Sequence, residues 1–157
     1  MNAEVPFVFK LARPEHLDVV VALMRSLERE DPNKKPFDDQ MRRSSYARFL
    51  NEPGHGYLWL FESGEKVVGY MVLAFVFSFE YGGRNAFIDE LYVIPEYRRK
   101  GIGSRALQFA RQTAQARGVV ALHLEVSRNN SLAHKLYLRA GFVDHDRYLL
   151  TKWLEPE

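Results

Sequence analysis

The 157-residue chain contains no cysteine. This absence excludes disulfide bonds, thiolate metal ligands and a cysteine nucleophile. The five histidines are scattered without the spacing of a metal site, so we expect no bound metal. A chain without cysteine also suits a reducing compartment, and we expect a cytoplasmic protein.

Long apolar runs and a strong charge of one sign are missing as well. The longest apolar stretch, residues 67–79, contains Gly69 and Ser78 and is too short to span a bilayer as a helix. The first ten residues lack the basic and then apolar pattern of a signal peptide. The net charge is only +2, and no basic stripe carries interleaved aromatic residues. We therefore expect neither a membrane nor a nucleic acid as partner.

The length and a hydrophobic fraction of 46% predict a single domain over residues 1–157. Apolar residues alternate in some segments and recur at helical spacing in others. The predicted strands cover residues 7–11, 57–62, 66–77, 85–94 and 122–126, with final strands from residue 142 onward, of which 147–154 is the stronger. The predicted helices cover residues 14–30, 38–51, 101–117 and 130–140. This order indicates an α/β sandwich with a mixed, largely antiparallel central sheet.

A basic, glycine-containing turn joins one predicted strand to one predicted helix. The strand ends before Pro95, and the helix opens with Gly101 and Gly103. Glycines let the backbone approach a ligand closely, and a helix N-terminus presents free N–H groups and a partial positive charge. Arg98, Arg99 and Lys100 add cations directly before the glycines. The segment therefore predicts a site for a phosphorylated cofactor.

A dinucleotide is one alternative for that cofactor. Gly101, Gly103 and Ala106 fit the loose G-x-G-x-x-G/A fingerprint, and Glu125 lies about 20 residues further on, where an acid would bind the ribose. Such a domain needs several parallel βαβ units, whereas this turn follows an antiparallel meander. A P-loop is absent, because no Gly-Lys-Ser/Thr follows Gly101. A dinucleotide oxidoreductase is therefore the weaker interpretation.

Two motifs make the chain resemble the GNAT superfamily of N-acetyltransferases. The run Arg98-Arg99-Lys100-Gly101-Ile102-Gly103 is similar to the family's Arg/Gln-x-x-Gly-x-Gly/Ala signature for acetyl-CoA. The second run, Asn130-x-x-Ala133-x-x-Leu136-Tyr137-x-x-x-Gly141-Phe142, is similar to its C-terminal motif. The resemblance covers nearly the whole chain. It implies a GNAT-like three-layer α/β sandwich with a mixed, mostly antiparallel sheet that is splayed at the cofactor site.

The resemblance also implies which residues contact acetyl-CoA. The backbone of Leu91, Tyr92 and Val93 would pair with the pantetheine arm as an extra strand. The backbone amides of residues 99–104, which include Ile102 and Ser104, would hold the pyrophosphate beside the basic turn. Asn130 would contact the pantetheine or the loop after the preceding strand. Tyr137 would face the thioester sulfur.

Acetyl transfer to an amine sets chemical requirements that the chain can meet. An alkylammonium has a pKa near 10.4, so holding it neutral at pH 7 costs about 4–5 kcal/mol, and a carboxylate can take its proton. Asp89 and Glu90 are adjacent on one strand and are expected on opposite faces. Asp89 is the favoured base, since family members such as the spermidine/spermine acetyltransferases look similar there. The Val93 amide could bind the oxyanion, and the Tyr137 phenol could protonate the leaving thiolate.

The sequence leaves several alternatives open. The base could be Asp89, Glu90 or water. Either acid could instead simply pair with a surface cation, and Tyr137 could be a core aromatic residue. The acceptor could be a small primary amine, a protein N-terminus or a lysine, and a non-catalytic CoA-binding sensor or a homodimer is also compatible. An acidic acceptor mouth is a further hypothesis, built from Glu28, Glu30, Asp31, Glu80 and Tyr81.

Overall fold

A computed structural model describes residues 6–32 and 35–154, and it contains one five-stranded sheet with four α-helices. The strands are β1 (Val8–Leu11), β2 (Gly56–Ser63), β3 (Lys66–Ser78), β4 (Gly83–Val93) and β5 (Ala121–Leu124). The helices are α1 (Leu17–Glu30), α2 (Asp39–Asn51), α3 (Ile102–Ala116) and α4 (Ser131–Arg139). These elements lie within a few residues of the predicted ones, with a 3-10 turn at Pro14–His16 preceding α1.

The sheet has the order β1-β2-β3-β4-β5. Its first four strands are antiparallel neighbours, and β5 pairs with β4 in parallel. The predicted mixed and mostly antiparallel sheet is therefore confirmed. The parallel pair needs a crossover, which α3 supplies between β4 and β5.

Apolar side chains project from both faces of the central strands, and helices cover both faces of the sheet. In β3, Met71 and Leu73 pack towards α3, whereas Tyr70 and Val72 pack towards α1 and α2. This explains why the strand reads as a nearly continuous apolar run. The result is a three-layer sandwich whose two cores are separated by the sheet. No helix in the described part of the chain is long and apolar enough to cross a bilayer.

The predicted final strands are not found. Residues 142–154 form no strand in the structure, although their composition favours one. Asp144 accepts a hydrogen bond from the amide of Asp146, which lies at φ 49°, so a tight turn separates the two predicted strands. A strand needs a backbone partner, and within residues 6–32 and 35–154 the outer edge of β5 pairs with no segment of this chain. The prediction was wrong because composition does not supply that partner.

Gly69 allows β3 and β4 to approach closely. A Cβ atom at this position would lie 2.3 Å from the carbonyl oxygen of Tyr92 and 2.8 Å from the Phe61 ring. The carbonyl belongs to the backbone and cannot move without shifting β4. The glycine therefore fixes the separation of the two strands where β4 approaches the basic turn.

We predict that Gly69→Ala destabilises the protein by about 2 kcal/mol or more, because the new methyl group overlaps backbone atoms. Urea unfolding followed by circular dichroism measures the change. Gly54→Ala is the matched control, because its Cβ would meet nothing within 4 Å. Equal unfolding midpoints for the two variants would contradict the proposed close approach.

Candidate functional site

A gap opens between β4 and β5. The two strands pair from Asn85–Ala121 to Ile88–Leu124, and there β5 ends. β4 continues to Val93 along β3 alone. The sheet is thus splayed beyond Ile88, as the resemblance implied. The open side of β4 is available to an extended ligand.

The backbone amides of Leu91 and Val93 face this gap. The amide of Ile94 donates to the carbonyl of Val68 at 2.9 Å, so it points towards β3. Successive residues of an antiparallel strand point their N–H groups in alternate directions. Leu91 and Val93 therefore point theirs away from β3, while the Tyr92 amide points towards it. The gap offers the hydrogen-bonding edge that an added strand requires.

The basic turn brings the chain from β4 to the N-terminus of α3. Arg99 has φ 58° and Gly101 has φ 81°, so two residues in the left-handed region curve the backbone before the helix begins. The first amides of an α-helix have no partner within the helix. Those of Ile102, Gly103 and Ser104 are therefore free to bind an anion at the helix end nearest the gap.

The side chains of this turn have different roles. The guanidinium of Arg98 donates to Glu30 at 2.6 Å and to the Val93 carbonyl at 2.8 Å. It therefore ties α1 to the end of β4, and its charge is already paired. Lys100 lies over the Tyr97 ring, and Arg99 is exposed. Arg99 and Lys100 are the better placed of the three cations to meet phosphate.

The remaining residues of the turn contribute through position more than through side chains. Ile102 is buried in the core beneath α3. A Cβ at Gly103 would lie 3.2 Å from Leu136, so this glycine allows α4 to pack against α3. Ser104 is exposed in the first turn of the helix. The predicted anion site therefore consists of backbone amides with Arg99 and Lys100 beside them.

Asn130 and Tyr137 lie on the β5 side of the gap. The Asn130 side chain accepts a hydrogen bond from the Ala133 amide at 3.1 Å and caps α4. Tyr137 is half-buried, packs against the α3 side of the core and contacts the Phe142 ring. Burial, and then the negative charge of Asp31, raise the pKa of the Tyr137 phenol. The phenol thus stays protonated at neutral pH, as a proton donor must.

A β-bulge displaces Asp89 from the regular pleat of β4. Ile88 pairs with Leu73 and Glu90 pairs with Val72, so Asp89 is the extra residue between them. The expectation that Asp89 and Glu90 leave opposite faces assumed unbroken alternation, and the bulge interrupts that alternation at Asp89. Burial raises the pKa of both carboxyls, and the nearby charge of the Arg42 guanidinium partly opposes each shift.

Glu90 belongs to a buried hydrogen-bonded group. Its Oε1 accepts from Arg42 of α2 at 2.7 Å, and its Oε2 accepts from the Tyr70 hydroxyl at 2.7 Å. Burial raises the pKa of Glu90, while the hydrogen bond from Tyr70 and the charge of Arg42 oppose that shift. No sequence pattern predicts this group, since Arg42 lies 48 residues from Glu90 and Tyr70 lies 20 residues from it.

Asp89 remains open to solvent at the wall of the gap. The surrounding protein still raises the pKa of its carboxyl, and Arg42 partly reverses the shift. Burial and then the charge of Asp89 raise the pKa of Glu125, which follows the end of β5. Asp89 therefore has the two properties of a base for an incoming amine, namely access and an elevated pKa.

The sequence also did not predict one hydrogen bond that crosses the gap. The Ser127 hydroxyl donates to Asp31 at 2.7 Å, joining the C-terminal end of α1 to the segment after β5. The neighbouring Glu30 accepts from the hydroxyl of Tyr92, so the Ser127–Asp31 hydrogen bond lies on the α1 side of the gap. The two residues are 96 positions apart in the sequence, and only tertiary packing brings them together.

The acidic acceptor mouth does not form as one surface. Glu30 contacts Tyr92 at the end of β4, and Glu80 precedes the start of β4, where it pairs with Arg147. The 11 residues of β4 separate these ends by about 30 Å, since a strand rises about 3.3 Å per residue. Glu30 and Asp31 are placed beside the gap, whereas Glu80 lies towards the opposite end of β4. In the part of the chain that the structure describes, no group of three acidic or histidine side chains could hold a metal.

Residues 20–142 match the model of the acetyltransferase (GNAT) family. The matched region contains the gap, the basic turn and Tyr137. The bovine thialysine N-epsilon-acetyltransferase is 36% identical over 98 residues, which is 62% of this chain and 54% of that protein. The chain thus spans about half the length of this relative. The aminoalkylphosphonate N-acetyltransferase of Salmonella typhimurium is 32% identical over 131 residues, which is 83% of this chain and 81% of the relative.

Solved structures show the same fold. An integron cassette protein from the Cole Harbour Salt Marsh metagenome superposes with a TM-score of 0.80 at 34% identity, covering 95% of this chain and 91% of that one. A predicted acetyltransferase from Clostridium acetobutylicum, solved with acetyl-CoA, has a TM-score of 0.80 at 19% identity, covering 94% and 96%. At that identity the second likeness shows the fold alone.

We predict that Ser104→Glu weakens CoA binding about tenfold or more while the fold is retained. A carboxylate in the first turn stabilises a helix, but it repels phosphate at the same amides. Isothermal titration with CoA measures affinity, and the melting temperature reports the fold. Ser104→Gln is the isosteric control and should bind within about threefold of wild type. Undiminished affinity in Ser104→Glu would place the phosphates elsewhere.

Proposed function

Because the chain belongs to the acetyltransferase (GNAT) family, we propose that it transfers an acetyl group from acetyl-CoA to a primary amine by direct attack in a ternary complex. The observation that carries this proposal is the open edge of β4, which leads to free amides at the N-terminus of α3. A strand-like pantetheine arm and a pyrophosphate fit these two features in order. Acetyl-CoA supplies the activated thioester.

Three residues of this chain take part in the proposed chemical step. Asp89 accepts the proton that the acceptor ammonium must lose before it attacks. The amide of Val93 faces the gap and donates a hydrogen bond to the oxygen on which negative charge develops. Tyr137 gives its proton to the departing thiolate. Without cysteine, the chain has no thiol to carry the acetyl group, which favours the direct reaction.

A small-molecule amine is the acceptor class that we favour. The names of the two relatives identify thialysine and an aminoalkylphosphonate as their acceptors, and both are small amines. A protein N-terminus or a lysine is the alternative acceptor. A non-catalytic CoA sensor would bind CoA but release no thiol from acetyl-CoA.

A panel of acceptors tests the proposal. Release of free CoA thiol is followed with small primary amines, with peptides carrying a free N-terminus or lysine, and with no acceptor. We expect amine-dependent thiol release, greatest for a small amine. Thermal stabilisation by NAD but not by acetyl-CoA would instead favour a dinucleotide enzyme, and CoA binding without any thiol release would favour the sensor.

We predict that Asp89→Asn lowers kcat/KM at pH 7 by about 100-fold, because it removes the proton acceptor while keeping size and hydrogen bonding. Activity should partly recover towards pH 10, where the amine loses its proton unaided. The pH dependence of kcat/KM measures this. Asp146→Asn, at an exposed position, serves as control. Full activity of Asp89→Asn at pH 7 would exclude Asp89 as the base.

We predict that Tyr137→Phe lowers kcat by about 100-fold and changes CoA affinity by less than about threefold. The hydroxyl acts on the thiolate in this account, whereas the ring packing is kept. Single-turnover kinetics separate the chemical step from product release. Tyr148→Phe, an exposed tyrosine, is the control. An unchanged chemical step would return Tyr137 to the role of a core aromatic residue.

We also propose that the chain forms a homodimer through its C-terminal segment. Residues 147–154 have a strand-like composition, and Tyr148, Leu149, Leu150 and Leu154 are each more than two thirds exposed. The outer edge of β5 lacks a partner among the described residues. A second copy could bury these side chains and pair with that edge.

Light scattering at micromolar concentration tests the assembly, with a dimer expected for wild type. We predict that Leu150→Lys shifts it towards monomer, because a charge would enter the buried contact. Phe79→Lys, at an exposed hairpin tip, should leave the dimer intact. A monomeric wild-type protein would contradict the proposal.

A further inference from the structure

We propose that Arg42 and Tyr70 are positioning residues that hold Glu90 in place, so that Asp89 alone accepts the proton of the acceptor amine. This inference rests on the proposed function. It gives different roles to two adjacent acids and assigns one to Glu90 that the sequence does not predict. It also brings α2, a helix outside both sequence motifs, into the catalytic arrangement.

Both oxygens of Glu90 are already occupied. The Arg42 guanidinium donates to one and the Tyr70 hydroxyl donates to the other, each at 2.7 Å. The Glu90 side chain is only 14% exposed, and Tyr70 is fully buried. A carboxylate held in this way can approach an amine only by breaking a hydrogen bond in a poorly hydrated place, which is costly. Glu90 therefore suits an anchor and not a base.

Asp89 has the opposite environment. Within the described residues its carboxyl takes part in no hydrogen bond or ion pair, and it is open to solvent. It sits at the bulge, where β4 has just separated from β5. A carboxylate with free oxygens at the opening of the gap can accept a proton from an incoming ammonium without losing an existing contact.

The two hydrogen bonds that hold Glu90 also restrict the conformation of the bulge. An extra residue lacks a backbone partner, and its direction depends on how its neighbours are held. Ile88 packs into the core on the α3 side of the sheet, and Glu90 is held by Arg42 and Tyr70 on the side of α1 and α2. With both neighbours fixed on opposite faces, the direction of Asp89 is restricted.

The charges around Asp89 come from four elements. Arg42 of α2 is the cation that acts on it, and it lowers the pKa of Asp89 against the effect of burial. Glu90 on the same strand and Glu125 after β5 are like charges, and Asp89 raises the pKa of each. Tyr70 of β3 presents a buried hydroxyl, and His123 of β5 packs on Phe87, two residues before Asp89. Arg42 thus stabilises the ionised base while it anchors Glu90.

Glu90→Gln separates the two acids. Glutamine keeps the size and an oxygen for Arg42, but it removes a negative charge beside Asp89. We expect this variant to keep at least about a tenth of wild-type kcat/KM at pH 7, since the base is intact. The acid limb of its pH profile should move to lower pH, because removing a like charge favours ionised Asp89.

Arg42→Gln is then added to the Glu90→Gln protein. Residue 90 can no longer take up a proton, so the only carboxyl of the pair that titrates is Asp89. Loss of the cation should move the acid limb back to higher pH, by about one unit. Arg42→Lys in the same background keeps the positive charge, so the acid limb of the pH profile should largely return to its position in the Glu90→Gln protein. The adjacent Arg43 pairs with Asp18 and Asp39. Arg43→Gln should therefore leave the acid limb of the pH profile unchanged.

Carbon-13 NMR titration of the Asp89 carboxyl in these variants gives the same order of pKa values without any assay. The inference is overturned if Glu90→Gln is folded yet loses acetyl transfer at every pH, because Glu90 would then be the base. It is also overturned if Arg42→Gln leaves the Asp89 pKa unchanged. A wild-type protein that acetylates no amine would refute the proposed function instead, and the NMR titration would still decide whether Arg42 controls Asp89.

Discussion

The separation of β4 from β5 after the Ile88–Leu124 pair is the constraint on which the candidate site depends. A closed sheet would satisfy the amides of Leu91 and Val93 internally and leave no edge for a ligand. The splayed sheet leaves those amides facing a gap that runs towards the N-terminus of α3. Glu30 joins α1 to the end of β4, and α4 packs against α3 beside Gly103.

The bulge at Asp89 gives this gap its chemistry. Without the extra residue, β4 would continue its alternation, and Glu90 would pack on the same face as Ile88. With it, Glu90 reaches Arg42 and Tyr70, while Asp89 is left at the opening. The binding features and the proposed base thus depend on two departures from a regular sheet that lie one residue apart.

The sequence predicted the elements that depend on local patterns. Alternation placed β1 and β5, helical spacing placed α1 and α3, and Gly101 marked the turn beside the predicted anion site. It did not predict what depends on distant residues. No residue type in the sequence marks the position of the bulge. The Arg42–Glu90 and Asp31–Ser127 contacts join segments that are 48 and 96 residues apart. The predicted final strands were not found for a similar reason, since a suitable composition does not by itself place a segment beside the edge of a sheet.

Amide hydrogen exchange at single-residue resolution tests the central claim most directly. Acetyl-CoA at saturating concentration should slow exchange of the Leu91 and Val93 amides, because they face the gap and would bond to pantetheine. The Ile94 amide already bonds to Val68, so its exchange should change far less. Protection confined to another part of the protein, or no protection of Leu91 and Val93, would contradict the account.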